Sequence, residues 1–225
     1  MATRREYFDG CAAAHALDLV GERWALLVVR ELILGPKRFT DLRGGLPLAS
    51  PNVLSQRLRD LEQAGIVRRR RLPPPAASAV YELTEWGQGL EPVLQALGRW
   101  GVRSPTRPEA SDIGLDSLVL ALRTMFEPAA AEGLAATYEL RLGDHAFRAT
   151  VADAAFEVVP GEAAAPDVVL TAAPSALAAV VFGGRPLADA VSTGDVKVEG
   201  DPAAAERLMA LFPMPERAPA FAAAD

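Results

Sequence analysis

Apolar residues recur every three to four positions over Cys11 to Val20 and again over Glu22 to Leu34, where Trp24, Leu27, Val28 and Leu32 mark the stripe. That period predicts two core helices, and Gly35-Pro36 stops the second. Arg38 to Arg43 is a short helical candidate, closed by Gly44-Gly45 and the turn Leu46-Pro47-Leu48. Ser50 then offers an N-cap with Pro51 at the first helical position, and the helix it starts runs to Ala64 before Gly65. Ile66 to Leu72 is β-prone and arginine-rich, and a proline-rich tip joins it to the strand Ala79 to Leu83. Thr84 caps a last long helix, Glu85 to about Val102. Four helices, a hairpin and a helix make the winged helix-turn-helix plan.

The pattern changes after residue 112. Gly114 to Phe126 is amphipathic, whereas Ala136 to Leu142 alternates strictly, as a half-buried strand does. Gly143-Asp144 signals a hairpin into Ala146 to Ala152; Ala155 to Val159 and Pro166 to Thr171 read as further strands. Helices return over 173–182, 186–193 and 202–212. The fold class is therefore α+β, with a winged helix domain over 1–103, a polar linker with prolines over 104–112, an α+β domain over 113–212 and a tail over 213–225.

Composition narrows the function classes. Half of the 225 residues are apolar and 23% are charged, which excludes a chain disordered on composition grounds. One cysteine cannot form an internal disulfide, and two histidines cannot build a zinc finger or a three-histidine metal site, so neither metal nor cofactor is expected. No apolar run reaches the ~18 residues of a spanning helix, and the first residues lack a signal-peptide core. A cytoplasmic location without a membrane partner is expected.

Charge adds a contrast that the whole-chain value hides. The net charge of -6 discourages a nucleic-acid partner when taken whole. Residues 1–107, however, hold 16 Lys/Arg against 11 Asp/Glu, and the remainder 7 against 18. A basic nucleic-acid module joined to an acidic module with another task has this asymmetry.

On a helical wheel, Leu54, Leu58 and Leu61 form the core stripe of Ser50–Ala64, opposite Asn52, Gln56, Arg59 and Gln63. Amides pair bidentately with adenine and arginine with guanine, so that face suits a major groove, with Ser50 and Ser55 beside it. Lys37, Arg38 and Arg57 are placed to neutralise phosphates; alternation in the hairpin lets about two of Arg68 to Arg71 reach one DNA backbone, here Arg69 and Arg71. Any surface helix has a polar outer face. The joint pattern of short helix, tight turn, capped helix and arginine-bearing hairpin favours DNA.

Several motifs in this half occur in order at one family's spacing: Cys11, Asp18 to Leu27, Arg30-Glu31-Leu32, Gly35, Arg38-Phe39, Leu54 to Glu62, Gly65-Ile66-Val67 and Tyr81 to Gly87. The sequence resembles HxlR-type winged-helix transcriptional regulators over about residues 8 to 103. The resemblance implies a homodimer, formed by the first and last helices of the domain, on a two-fold double-stranded operator. One departure is the wing tip, Pro73 to Ala79, which carries no charge and puts a minor-groove contact in doubt. In several members of the resembled family the cysteine at the Cys11 position senses oxidants or electrophiles. A helix N-terminus lowers a thiol pKa, and Arg4 or Arg5 would help. A lone cysteine before an apolar helix is also a common small buried hydrophobe.

In the acidic half, Gly194 to Asp201 followed by Ala204 to Phe212, together with Asp167 to Thr171, resembles sterol carrier protein type-two-like domains. That resemblance implies a sheet with helices over one face and an apolar tunnel for a hydrophobic effector, for which Phe126, Tyr138, Phe147, Phe156, Phe182 and Leu187 are candidate contacts. The same residues also suit a solid core. No nucleophile elbow, phosphate-cradling loop or acid/base pair is visible, so no enzyme activity is expected. The leading expectation is a homodimeric repressor controlled by a hydrophobic effector. The alternatives are a redox or electrophile sensor through Cys11 and a lipid carrier with an accessory DNA-binding domain.

Overall fold

The computed structural model describes residues 7–74, 77–108 and 112–220. It divides into two compact units, 1–94 and 95–225.

In the first unit α1 (Ala12–Val20) leads to α2 (Ala25–Leu32), α3 (Phe39–Gly45) and α4 (Pro51–Gln63), then to the antiparallel hairpin β1 (Val67–Arg71) and β2 (Ala79–Leu83), α5 (Glu85–Gln88) and the start of α6 (Glu91–Gly101). Its core is Val28, Val29, Leu32, Leu42, Leu54, Leu58, Leu61, Ile66 and Val80, all nearly inaccessible to solvent. The Ser50 hydroxyl accepts the Val53 N–H, so α4 starts where Ser50-Pro51 predicted. Lys37 and Tyr81 exchange backbone hydrogen bonds, which ties the segment before α3 to the hairpin.

Three local expectations change. The second helix starts at Ala25, because Trp24 stands before it with a left-handed φ of 78°, half-buried, under the Arg23 guanidinium. Gly44 and Gly45 lie inside α3, where a Cβ on Gly45 would collide with the Glu31 carboxylate. The long last helix is two pieces, since Pro92 has no N–H to give the Gln88 carbonyl. A Cβ on Gly87 would strike the Ile66 carbonyl, so α5 crosses close beneath β1.

The second unit contains the rest of α6, α7 (Leu115–Met125), a 3-10 turn at Pro128–Ala131, and a five-stranded sheet. Its strands are β3 (Ala136–Leu142), β4 (His145–Ala152), β5 (Ala155–Pro160), β6 (Val168–Ala172) and β7 (Val196–Gly200), in the order β5-β4-β3-β6-β7. Only the β3–β6 pair is parallel, joined by the long crossover through β4 and β5. The remaining helices are α8 (Pro174–Val181), α9 (Leu187–Ser192) and α10 (Pro202–Met209). Register places Tyr138, Leu140, Phe147, Ala149, Val158, Val168 and Leu170 on one buried face. The opposite face carries Arg141, Arg148, Glu157, Lys197 and Glu199, all exposed. β7 lies in the segment Gly194 to Asp201, which the sequence had matched only by resemblance; the β4–β5 turn uses Asp153 and Ala154 at positive φ with no glycine to announce it.

Candidate nucleic-acid interface

α4 carries the candidate reading surface. Asn52, Arg59 and Gln63 are exposed, while Ser55 and Gln56 are half-buried. The Arg59 Nη2 donates to Gln56 Oε1 at 2.7 Å, and Gln56 Nε2 donates to Asp60 Oδ1 at 2.7 Å. Two polar heads of the face are thus held in place by their neighbours, which lowers the entropy cost of presenting them.

Arg57 sits elsewhere than expected. It lies beside the leucine stripe, its side chain 16% exposed, with Nη2 3.2 Å from Asp60 and Nη1 3.6 Å from Glu22. Its Nε is buried without a hydrogen-bond partner. A guanidinium committed to two carboxylates does not face a phosphate, so Arg57 is better described as anchoring α4 to the turn before α2. Lys37 is half-buried, with Nζ 3.1 Å from Glu31 Oε2, whereas Arg38 is exposed and its Nε donates to Ser78 Oγ at 3.1 Å. Ser50 is exposed, its hydroxyl used as the cap.

The four hairpin arginines separate by strand parity. Arg68 and Arg70 both hold Glu82, at 2.7 and 2.6 Å, and these bonds, Arg70 foremost, keep its carboxyl below its ordinary pKa. Arg69 lies over the Tyr81 ring and Arg71 donates to the Ala77 carbonyl. A groove of about 590 Å³ is lined by Glu62, Arg69, Arg70, Arg71, Ala77 and Ala79, and a second of about 580 Å³ by residues including Thr40, Arg43 and Ser50. The wing tip residues 75 and 76 lie outside the described residues.

Glu31 is a residue that the sequence reading passed over. It is 2% exposed, yet it accepts from Arg30 at 2.8 Å and from Lys37 at 3.1 Å. Its signal was present: a carboxylate three residues after Val28 falls on the core stripe of an apolar helix.

Cys11 is exposed at the N-cap of α1. The backbone N–H groups of Ala14 and Ala13 lie beside the thiol, short of a formed capping bond, and hold its pKa below the ordinary cysteine value. Within the single chain Cys11 is therefore not a buried hydrophobe. Arg4 and Arg5, named as possible helpers, lie outside the described residues.

α1 buries only Val20, and Leu17 stands 51% exposed. Beside it an apolar groove of about 220 Å³ is lined by Ala16, Leu19, Val20, Ile66, Trp86, Gly89 and Leu90.

Among the six candidate effector contacts, Phe126, Tyr138 and Phe147 are buried, and Phe156, Phe182 and Leu187 are half-buried. Phe126 stacks on Phe156 with centroids 5.4 Å apart, and Phe212 packs edge-on to Phe156 at 5.2 Å. These three rings fill one another's space. Tyr138 is inaccessible, its hydroxyl has no hydrogen-bond partner, and burial pushes the phenol pKa up. A lone buried hydroxyl costs about 1–3 kcal/mol, so Tyr138→Phe is expected to raise stability by about 1 kcal/mol in urea unfolding. A loss of similar size would show that the hydroxyl is satisfied in solution.

A capped helix with an exposed polar face, a short helix and turn before it and an arginine-bearing wing after it define a winged helix-turn-helix DNA-binding protein. Residues 19–108 match the family described as HxlR-like helix-turn-helix. YodB, an HTH-type transcriptional regulator of Bacillus subtilis, is 40% identical over 85 residues, which are 38% of this chain and 76% of YodB. YvaP, an uncharacterised HTH-type transcriptional regulator of the same organism, is 38% identical over 85 residues, 38% of this chain and 79% of its own. The solved reduced form of YodB covers 43% of this chain and 95% of its own at 36% identity, with a TM-score of 0.39. A quinone-bound YodB covers 40% and 93% at 36% identity and TM-score 0.35.

The chain belongs to the HxlR-like helix-turn-helix family and is a transcriptional regulator. Its second half has a different affinity: residues 114–222 match the family described as alkyl sulfatase C-terminal, in place of the sterol-carrier name suggested by its strands. Among the described residues no helix is long and apolar enough to cross a membrane.

Proposed function

We propose that the protein is a homodimeric repressor that places α4 of each subunit in successive major grooves of a two-fold operator and releases DNA when a hydrophobic effector enters the second unit. The observation that carries the DNA reading is the fixed polar face of α4 beside a wing whose Arg69 and Arg71 point away from the Glu82 cluster. Asn52, Ser55, Gln56 and Arg59 read bases in this scheme. Ser50, Arg38, Arg69 and Arg71 contact phosphates, while Lys37, half-buried and paired with Glu31, holds the segment before α3 in place. The exposed Leu17 and the groove at Trp86 and Leu90 support a dimer through α1. For the effector, support comes from the apolar sheet face; the Tyr138 hydroxyl, unpartnered and inaccessible, becomes a donor to a polar atom of an effector only once the packing around it opens. The sterol-carrier-like character of this unit remains part of the proposal.

The test is operator affinity against salt. Neutralised phosphates release counterions, so the logarithm of affinity falls linearly with the logarithm of salt. Arg69→Ala and Arg71→Ala should each flatten that slope by about 1 and weaken all duplexes alike. A flat response in the wild type overturns the DNA reading.

Cys11 favours a second reading, as an exposed thiol of lowered pKa. Such a thiol is a thiolate in larger fraction at neutral pH and reacts faster with electrophiles. With one cysteine in the chain, only an adduct or a bridge between subunits can act. Under this reading Cys11→Ser keeps operator binding and loses all response to diamide and quinones. Unaltered release of DNA by the variant sinks it.

A further inference from the structure

Two large apolar side chains next to the α4 reading face lie outside the core of the first unit. Leu48 is 85% exposed in the turn before α4, and Val53 is 38% exposed in its first turn. The apolar pair that fixes the entry of the helix is already complete without them: Ala49, just before the Ser50 cap, is 3% exposed and Leu54 fully buried, the positions of a hydrophobic staple. Helical side chains lean toward the N-terminus, so the Val53 methyls cover the first turn, between Asn52 and the Leu48 turn. Leu48 and Val53 thus extend the polar reading face into an apolar rim at the end of the helix that meets base edges in helix-turn-helix docking.

Only thymine offers an apolar group in the major groove, its C5-methyl, while Asn and Gln amides suit adenine on the opposite strand. We propose that Val53 and Leu48 contact thymine methyls, so that A·T pairs in each half-site are read from both strands: the purine by the amides of Asn52 and Gln56, the pyrimidine by these two side chains. This rests on the assignment of α4 to the groove. It adds a specificity element that the charged and amide residues do not supply, since none of them can distinguish thymine from uracil, which differs only by the methyl.

The experiment first selects the best duplex from a random pool with the full-length wild type, then replaces each thymine singly by deoxyuridine, which removes the methyl and leaves pairing intact. One or two positions per half-site should bind about fourfold more weakly, the worth of one buried methyl group. Leu48→Ala and Val53→Ala, both exposed substitutions that leave the core untouched, should bind thymine and deoxyuridine duplexes equally at those positions, with an unchanged salt slope. Wild-type affinity indifferent to every deoxyuridine, or variants that keep the full fourfold ratio, overturns the inference while leaving the DNA reading in place. Failure to enrich any duplex over random sequence overturns the DNA reading itself, and this inference with it.

Discussion

Arg59→Ala is expected to weaken binding to the selected operator by about 5- to 150-fold, the 1–3 kcal/mol worth of one bidentate arginine–guanine pair, and binding to random duplex by less than about threefold. The prediction rests on placement. Arg59 is exposed on the outer face of α4, and its hydrogen bond to Gln56 Oε1 fixes the guanidinium plane before DNA arrives. Gln56 is in turn fixed by Asp60, whose other oxygen takes Arg57. Gln56→Ala should therefore show a compound loss, from its own base contact and from the released Arg59 head. A double variant of Gln56 and Arg59 should lose less than the sum of the singles. Titrations of operator and random duplex at one salt concentration decide the matter. Equal losses on both would remove Arg59 from base reading and leave it as a phosphate contact.

Glu31→Ala should cost on the order of 3 kcal/mol, because removing one partner leaves the Lys37 and Arg30 charges near each other without their shared counterion. Burial pushes the Glu31 carboxyl up, but the Lys37 charge and the Arg30 contact outweigh it and hold the pKa below the ordinary 4.5. A depressed carboxylate pKa means that the folded state holds this proton less tightly than the unfolded chain does. The stabilisation is complete above the unfolded value and is lost as pH falls through the lower folded one. Wild type and Glu31→Ala should thus differ most near neutral pH and converge as the pH drops below about 4.5. Thermal unfolding followed by circular dichroism should show a gap on the order of 10 °C at pH 7. A gap that stays constant down to pH 3 would mean that the carboxylate charge is not what stabilises this corner. Gly45→Ala is expected to act in the same direction, since its Cβ would displace the same carboxylate.

Those two sites differ in how visible they were beforehand. The α4 face could be laid out on a wheel from Ser50, Pro51 and the leucines alone, since helical geometry fixes which residues share a side. Arg57 shows the limit of that wheel. It lies on the edge between the polar and apolar faces, and what it meets depends on Glu22, 35 positions earlier in the chain. The same holds for the hairpin. Alternation said that the arginines must divide two and two, but not that Glu82 would collect Arg68 and Arg70.

In the second half, alternation in Ala136 to Leu142 together with a hairpin signal and β-prone runs located four of the five strands, and parity assigned their faces once one residue was known to be inside. It did not say which parity was inside, and so which of Tyr138, Arg148 and His145 could offer a polar anchor to an effector. The register puts Tyr138 and His145 on one face and Arg148 on the other, with His145 still exposed at the sheet edge. Nor could the sequence say whether the aromatic residues surround a space or fill it, because Phe126, Phe156 and Phe212 come from three elements far apart in the chain.

The sequence by itself determined the order of elements, the capped α4 with its polar face, the change of charge between the halves and the family of the first half. All of these follow from interactions within about one turn or one strand, or from motif spacing. Only the tertiary structure decided that Glu31 is a buried ion centre, that Arg57 is an anchor, that Cys11 is exposed, that Tyr138 has no partner and that Leu48 and part of Val53 reach solvent beside the reading face. Each of these depends on what long-range packing brings near, or fails to bring near, and burial and pairing are properties of that neighbourhood rather than of local pattern.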